Sequence, residues 1–231
     1  MELYAVNTIN EMSNELFDKL ISYTDNDKKQ RILKCRNILD KQRILLGDTL
    51  VRSIICKKLQ IRNGEIAFEY NGYGKPLLKN NGKFHFNIAH SGDWVIVGED
   101  SMPLGVDVEQ ICEIDYIDIA GRFFSEYEFQ WLLNQHDYEK IEGFYILWTL
   151  KESYIKMVGK GLSIPLNSFS IILDKNRFPS ILNADNSIAN AYLSYKKIDQ
   201  KHYAALCSEN KCYDFKINVA SYKDILENII V

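Results

Sequence analysis

The sequence has 231 residues, 46% hydrophobic and 26% charged, with a formal net charge of -3. That length can bury a sizeable core in one large domain or two small ones, and the composition excludes wholesale disorder and shows no bias toward nucleic acid. No apolar stretch approaches the roughly 20 residues of a membrane span, and the first residues lack a basic region followed by an apolar core, so a soluble cytoplasmic protein is expected. The five cysteines, Cys35, Cys56, Cys112, Cys207 and Cys212, are odd in number and scattered, without a C-x-x-C pair or neighbouring histidines. Reduced thiols and no zinc site follow. No internal repeat or low-complexity tract is visible, and Pro103 is where the chain divides most naturally, into residues 1–102 and 103–231.

In chain order, residues 3–6 form a short apolar run, and Leu16, Leu20 and Ile21 then share a helical face. Lys28, Lys29, Arg31, Lys34, Arg36, Lys41 and Arg43 follow, either as a solvated helix face or as a site for an anionic ligand. From Asp40 the apolar spacing of Ile44, Leu45, Leu46, Leu50, Val51, Ile54, Ile55 and Leu59 predicts a long core helix. Residues 66–70 read as a strand entering the turn Asn71-Gly72-Tyr73-Gly74, which delivers Lys75 and Pro76.

Phe84, Phe86 and Ile88 alternate with polar neighbours, His90-Ser91-Gly92-Asp93 has turn chemistry, and residues 94–97 form a second apolar run, together a hairpin. A third run, Gly105-Val106-Asp107-Val108-Glu109, places two carboxylates on one strand face. They are either an ordinary solvated face or a cation site. Ser125 with Glu128 reads as a capping box opening a helix that ends near Asn134. After a polar loop, a helix carries Trp148, Glu152 and Lys156 on one face and stops at Gly159 and Gly161. Residues 168–173, 191–198 and 202–208 read as an antiparallel sheet under the second half, and residues 211–231 have no functional reading. His85, His136 and His202 have no motif context. Three carboxylates with nearby cations suit a hard ion such as magnesium holding a phosphate-bearing substrate.

These segments resemble the 4'-phosphopantetheinyl transferases of the surfactin-synthetase-activating type. The matching runs are Gly74-Lys75-Pro76, Phe86-Asn87-Ile88-Ala89-His90-Ser91-Gly92, Gly105-Val106-Asp107-Val108-Glu109, Arg122-Phe123-Phe124-Ser125 and Trp148-Thr149-Leu150-Lys151-Glu152-Ser153-Tyr154-Ile155-Lys156. Their order and approximate spacing match over the chain to about Ser208, with about one residue more than the family pattern between Glu109 and Glu152.

The resemblance implies an α+β fold of two similar subdomains related by a pseudo-twofold, each with a small, mainly antiparallel sheet and packed helices, and a cleft between them. It implies transfer of 4'-phosphopantetheine from coenzyme A to a serine of an apo acyl or peptidyl carrier protein, releasing adenosine 3',5'-bisphosphate. Asp107, Glu109 and Glu152 would hold magnesium, with manganese as the alternative ion. Lys28, Arg31 and Arg43 would hold the 3'-phosphate and adenine end of coenzyme A, Arg31 standing where a lysine is common. Gly74-Lys75-Pro76 would line the nucleotide pocket, and His90 and Ser91 would contact the phosphates.

Lys156 and His90 would stabilise the leaving phosphate, while Lys151 contributes near the phosphates or pairs locally. Glu152 is the first choice of base and Glu128 the second, although capping alone accounts for Glu128. Trp148 reads as a packing support for Glu152, and residues 117–124 are a docking candidate for the carrier. A site complete within one chain implies a monomer, with no nucleic-acid or membrane partner. The rival readings are a magnesium-dependent hydrolase or transferase acting on another diphosphate, and a non-catalytic module that binds coenzyme A or a carrier.

Overall fold

The computed structural model describes residues 1–8, 12–185, 187–212 and 214–231. The first half runs β1 (Glu2–Asn7), α1 (Asn14–Ile21), α2 (Asn26–Lys34), α3 (Ile38–Leu59), β2 (Phe68–Tyr70), β3 (Pro76–Leu78), β4 (His85–Ser91) and β5 (Trp94–Asp100). The second runs β6 (Leu104–Gln110), α4 (Tyr116–Phe123), α5 (Glu126–Leu133), α6 (Asp137–Val158), β7 (Phe169–Leu173), β8 (Pro179–Asn183), β9 (Tyr192–Lys197) and β10 (His202–Ser208). Each half is therefore a strand, two short helices, a 22-residue helix, a short hairpin and a longer hairpin. Pairing repeats as well, because the leading strand of each half bonds antiparallel to the last strand of its longer hairpin, giving β1-β5-β4 and β6-β10-β9. The repeat lives in topology, and an α+β fold of two similar halves is the outcome.

Local signals account for the helix boundaries. Ser13, Asp25, Asn37, Asp115 and Ser125 each accept a backbone N–H at the start of α1 to α5 in turn. Asn37 separates α2 from α3, so the basic run is carried on two helices. α6 starts at Asp137, where a polar loop was expected, because the acidic Asp137 and Glu139 suit a helix N-terminus despite their polarity.

Along α3, every residue from Leu45 to Cys56 is buried, including Asp48 and Arg52. The helix is covered on all sides, so its polar residues satisfy each other: Arg52 donates to Asp48 at 2.8 Å and to Asp25 at 3.0 Å, tying α2 to α3. One apolar cluster packs α3 against β1, β4 and β5, and a second packs α6 against β7, β8, β9 and β10. A third, from Leu3, Ala5, Ala89 and Ile96 to Leu104, Val106, Val108, Ala204 and Leu206, joins the two sheets.

The sheets meet along a seam between β4 and β6. Asn87 Oδ1 accepts from Val106 N–H at 2.8 Å, and Ser91 Oγ accepts from Gln110 N–H at 3.1 Å. The interval is the same on both strands, so β4 and β6 run side by side in one direction, with side chains in place of a backbone ladder. This satisfies donors on the free edge of β6.

One expectation for the later chain needs correction. β7 and β8 form a separate hairpin, while β9 and β10 extend the β6 sheet. The tail also leaves the second half: β11 (Ile217–Val219) pairs in parallel with β1, and α7 (Tyr222–Asn228) packs on α3. Its Ile225 is buried in the first core, which gives residues past 216 a structural role that alternation alone does not reveal.

α6 lies unusually close to β6 at Gly105. A Cβ there would stand 2.0 Å from the Ser153 carbonyl oxygen and 2.3 Å from Met157 N, helix backbone that cannot swing aside. Gly105→Ala should therefore destabilise the protein by about 3 kcal/mol or more in urea unfolding. Gly64→Ala, whose added carbon meets nothing within 4 Å, should stay within about 0.5 kcal/mol of the parent.

Candidate active site

The contact at Gly105 sets α6 over the face of β6 that carries Asp107 and Glu109. Glu152 and Lys156, one turn apart on α6, come down on the same place. Lys156 Nζ meets Asp107 Oδ1 at 2.6 Å, with Asp107 only 3% exposed and Lys156 28%. Glu109 and Glu152 are half-buried beside the pair. Burial pushes the Asp107 carboxyl up to about 7, Glu109 and Glu152 push it the same way, and Lys156 opposes them. Burial likewise raises Glu109 and Glu152, each held back by Lys156. For Lys156, burial opposes the charged form, but Asp107, Glu152 and Glu109 outweigh it and hold the ammonium above its usual value.

The three carboxylates expected to act together thus share one electrostatic neighbourhood. A hard divalent ion fits their chemistry, because they are all-oxygen donors crowded against each other and Asp107 Oδ2 is buried without a hydrogen-bond partner. As the side chains stand, Lys156 supplies the positive charge. No group of three or more His, Cys, Asp or Glu among the described residues is arranged to hold a metal.

From the other half, the β4–β5 turn reaches the same place. Ser91 Oγ donates to Glu109 Oε2 at 2.8 Å while accepting from Gln110 N–H, so one hydroxyl orients the carboxylate and closes the seam. His90 is exposed at the tip. Crowding by protein atoms, with Lys156 and Arg43 as neighbouring charges, holds its imidazole below the usual value and favours the neutral ring. Arg43 Nε donates to the Gly92 carbonyl at 2.7 Å, and its guanidinium pairs with Asp40 at 2.7 Å. Arg43 is therefore joined to the turn. Lys28 lies 4.0 Å from Asp48, and Arg31 is exposed on the same helix, α2.

Two lysines sit differently from expectation. Lys75 Nζ donates to the carbonyls of Lys156 at 2.6 Å, Leu104 at 3.1 Å and Met157 at 3.2 Å. All three ammonium donors are spent, so Lys75 ties the β2–β3 hairpin to β6 and the end of α6, and burial lowers its pKa to about 8. It can offer a ligand its backbone but not its charge, and Pro76 follows it half-buried at the start of β3.

Lys151 is wholly buried and meets Glu128 Oε1 and Oε2 at 2.6 and 2.7 Å and the Phe169 carbonyl at 2.8 Å. Glu128 also accepts from Ser125 and from Ile171 N–H. Neither group reaches solvent, so of the two expectations for Lys151 the local pair is present and the place near the phosphates is corrected, while Glu128 has its expected capping role and not that of a base. Trp148 stacks on Phe144 at 5.7 Å and meets Phe123 edge-on at 6.1 Å, so it packs within an aromatic cluster.

Asn87, Gly105 and His202 belong to this arrangement although no motif reading singled them out for it. A glycine inside a strand is a sequence signal of close backbone approach and could have marked Gly105. The seam formed by Asn87 has no such signal, since it needs the register between two sheets.

Two measurements follow. Asp107 is protonated more readily folded than unfolded, so wild-type stability is lost as pH rises from about 4 through about 7. Asp107→Asn escapes that loss, and in chelator it should melt a few degrees higher than wild type at pH 8, with a smaller gain at pH 5. Lys151→Met, leaving Glu128 buried and unpaired, should cost about 3–5 kcal/mol in denaturant unfolding.

Known proteins share this chain's sequence over nearly its whole length. A family model described as the 4'-phosphopantetheinyl transferase superfamily matches residues 103–207, and one described as 4'-phosphopantetheinyl transferase, N-terminal, matches residues 11–101. The 4'-phosphopantetheinyl transferase Sfp of Bacillus subtilis (strain 168) is 37% identical over 226 residues, covering 98% of this chain and 100% of its own. The 4'-phosphopantetheinyl transferase gsp of Aneurinibacillus migulanus is 37% identical over 208 residues, 90% of this chain and 86% of its own. A crystal structure of a holo-(acyl-carrier-protein) synthase from Bacillus anthracis overlays with a TM-score of 0.39 at 15% identity, over 46% of this chain and 94% of that one. With a matching model in each half and relatives this similar from end to end, the chain belongs to the 4'-phosphopantetheinyl transferase family.

Proposed function

We propose that the chain moves the 4'-phosphopantetheine arm of coenzyme A to a serine hydroxyl of an apo acyl or peptidyl carrier protein, with adenosine 3',5'-bisphosphate as the second product. The observation that carries the reading is the meeting of Asp107, Glu109, Glu152 and Lys156 with the His90–Ser91 turn, in a chain whose relatives are named for this transfer. The serine oxygen attacks the phosphorus that bears pantetheine, the bridging P–O bond of the diphosphate breaks, and the serine proton must be taken up. Glu152 is the group we assign to that proton: burial raises its pKa, and it is half-exposed on the cleft side of α6. Glu128, sealed in its ion pair, drops out.

Lys156 places positive charge beside the developing negative charge, and neutral His90 donates one ring N–H to a phosphate oxygen. Ser91 holds Glu109 in orientation. Asp107, Glu109 and Glu152 are the residues that would hold magnesium, which when bound offsets charge on the diphosphate and aligns it for in-line attack. Arg43, fixed to Gly92, is the best placed of the three basic candidates to meet an anionic ligand at the turn, with Lys28 and Arg31 on α2 further along the same basic run.

All these groups come from one chain, which favours a monomer with a complete site acting in the cytoplasm. A division near Pro103 into residues 1–102 and 103–231 fits the repeated element order, while β11 and α7 stand closer to the first unit. For the carrier, α4 is the docking element we favour. Its Phe123 is 45% exposed beside the Trp148 cluster, whereas Phe124 is core.

Mixing the protein with coenzyme A, magnesium and an apo carrier should add the mass of one phosphopantetheine arm to the carrier serine. Glu152→Gln should lower that turnover at least about 100-fold while the protein stays folded. Diphosphate cleavage without carrier, or an undiminished Glu152→Gln variant, would overturn the assignment.

A further inference from the structure

His202 opens β10, is 0% exposed, and lies under the tip of the β4–β5 turn that belongs to the other half. Its Nδ1 stands 2.9 and 3.0 Å from the two carboxylate oxygens of Asp199. Its Nε2 accepts from Asp93 N–H at 3.3 Å. An acceptor at Nε2 needs a lone pair there, so the ring proton is on Nδ1, facing Asp199. Asp199 is itself held in place, accepting from Trp94 Nε1 at 2.7 Å and from Lys201 N–H at 2.7 Å.

Gly92 adds an independent observation. Its φ of +52° is left-handed, and a Cβ would lie 2.3 Å from His202 Nε2 and 2.6 Å from Gln110 Oε1. The turn is therefore pressed directly onto the imidazole. Three consecutive residues are each fixed from a different element: Ser91 by Glu109 of β6, Gly92 by Arg43 of α3, and Asp93 by His202 of β10.

We propose that His202 and Asp199 are a positioning pair that pre-sets the His90–Asp93 turn from the opposite half, so that His90 and Ser91 meet the diphosphate of coenzyme A without first being ordered. This rests on the transferase reading above. An apolar side chain could fill the same space, but it would leave Asp93 N–H without an acceptor and the turn free to shift. Ordering the donors before the ligand arrives removes that ordering from the cost of binding. The effect belongs to coenzyme A affinity, since neither residue faces the nucleophile.

The test compares His202→Ala, His202→Gln and Asp199→Ala in the full chain. His202→Ala should raise KM for coenzyme A about tenfold, with kcat within about threefold and KM for the carrier unchanged. His202→Gln, whose Oε1 can accept from Asp93, should recover most of the loss, and Asp199→Ala should show the same split to a smaller degree. Amide hydrogen exchange over residues 90–94 should speed up in His202→Ala and slow again in His202→Gln. If His202→Ala does not fold, the contrast between His202→Gln and Asp199→Ala decides. A KM for coenzyme A within twofold of wild type, or a Gln variant no better than Ala, overturns the proposal. Absence of transfer by wild type counts instead against the transferase reading, and the exchange pattern then decides whether the pair holds the turn.

Discussion

The seam between β4 and β6 is the constraint on which the site depends. Two side chains, Asn87 and Ser91, take the place of a backbone ladder and hold strands from different halves in one register. Because Ser91 belongs both to that seam and to the turn, registering the sheets automatically sets the end of β4 against Glu109. A backbone ladder would have fused the halves into one sheet. Side-chain bonds leave room for a cleft at the open end, where the turn and the acidic face of β6 stand next to each other.

On that acidic face of β6, the chain brings like charges together and accepts the strain. Burial raises the proton affinity of Asp107, Glu109 and Glu152, Glu152 adds to it at the other two and Glu109 at Asp107, and the single ammonium of Lys156 offsets only part of this. The fold imposes this through a missing side chain: without Gly105, α6 would ride further from the strand and the acids would be spread apart. By contrast, Lys151 and Glu128 form a buried pair in which every bond is internal. One acidic and basic grouping is left incompletely satisfied and open to a ligand, while the other is closed and structural. Exposure and the number of committed lone pairs distinguish them, where residue type does not.

How far the chain was legible follows from the same contrast. The hairpin at residues 84–97, the shared face of Asp107 and Glu109, the capping box at Ser125 and the face carrying Glu152 and Lys156 are all local periodicities, and each is present. The roles of Lys75 and Lys151 were not legible, because a lysine's environment is set by what packs against it from elsewhere: three carbonyls in one case, a buried carboxylate in the other. The same holds for His202, whose partners Asp93 and Asp199 are brought to it by the meeting of the two sheets. The internal repeat was hidden because packing preserves the order of elements with no need for matching residues, even where two long helices do equivalent work.

The parallel pairing of β11 with β1 has a consequence for how the chain assembles. During synthesis the N-terminal strand must wait for residues near 219 before its outer edge is covered, so the first sheet stays open-sided until the second half has left the ribosome. That long-range closure raises the sequence separation of native contacts and slows the last step of folding. It also acts as a clasp: the chain crosses between the halves at Pro103 and again where the tail returns, a second covalent tie beside the seam.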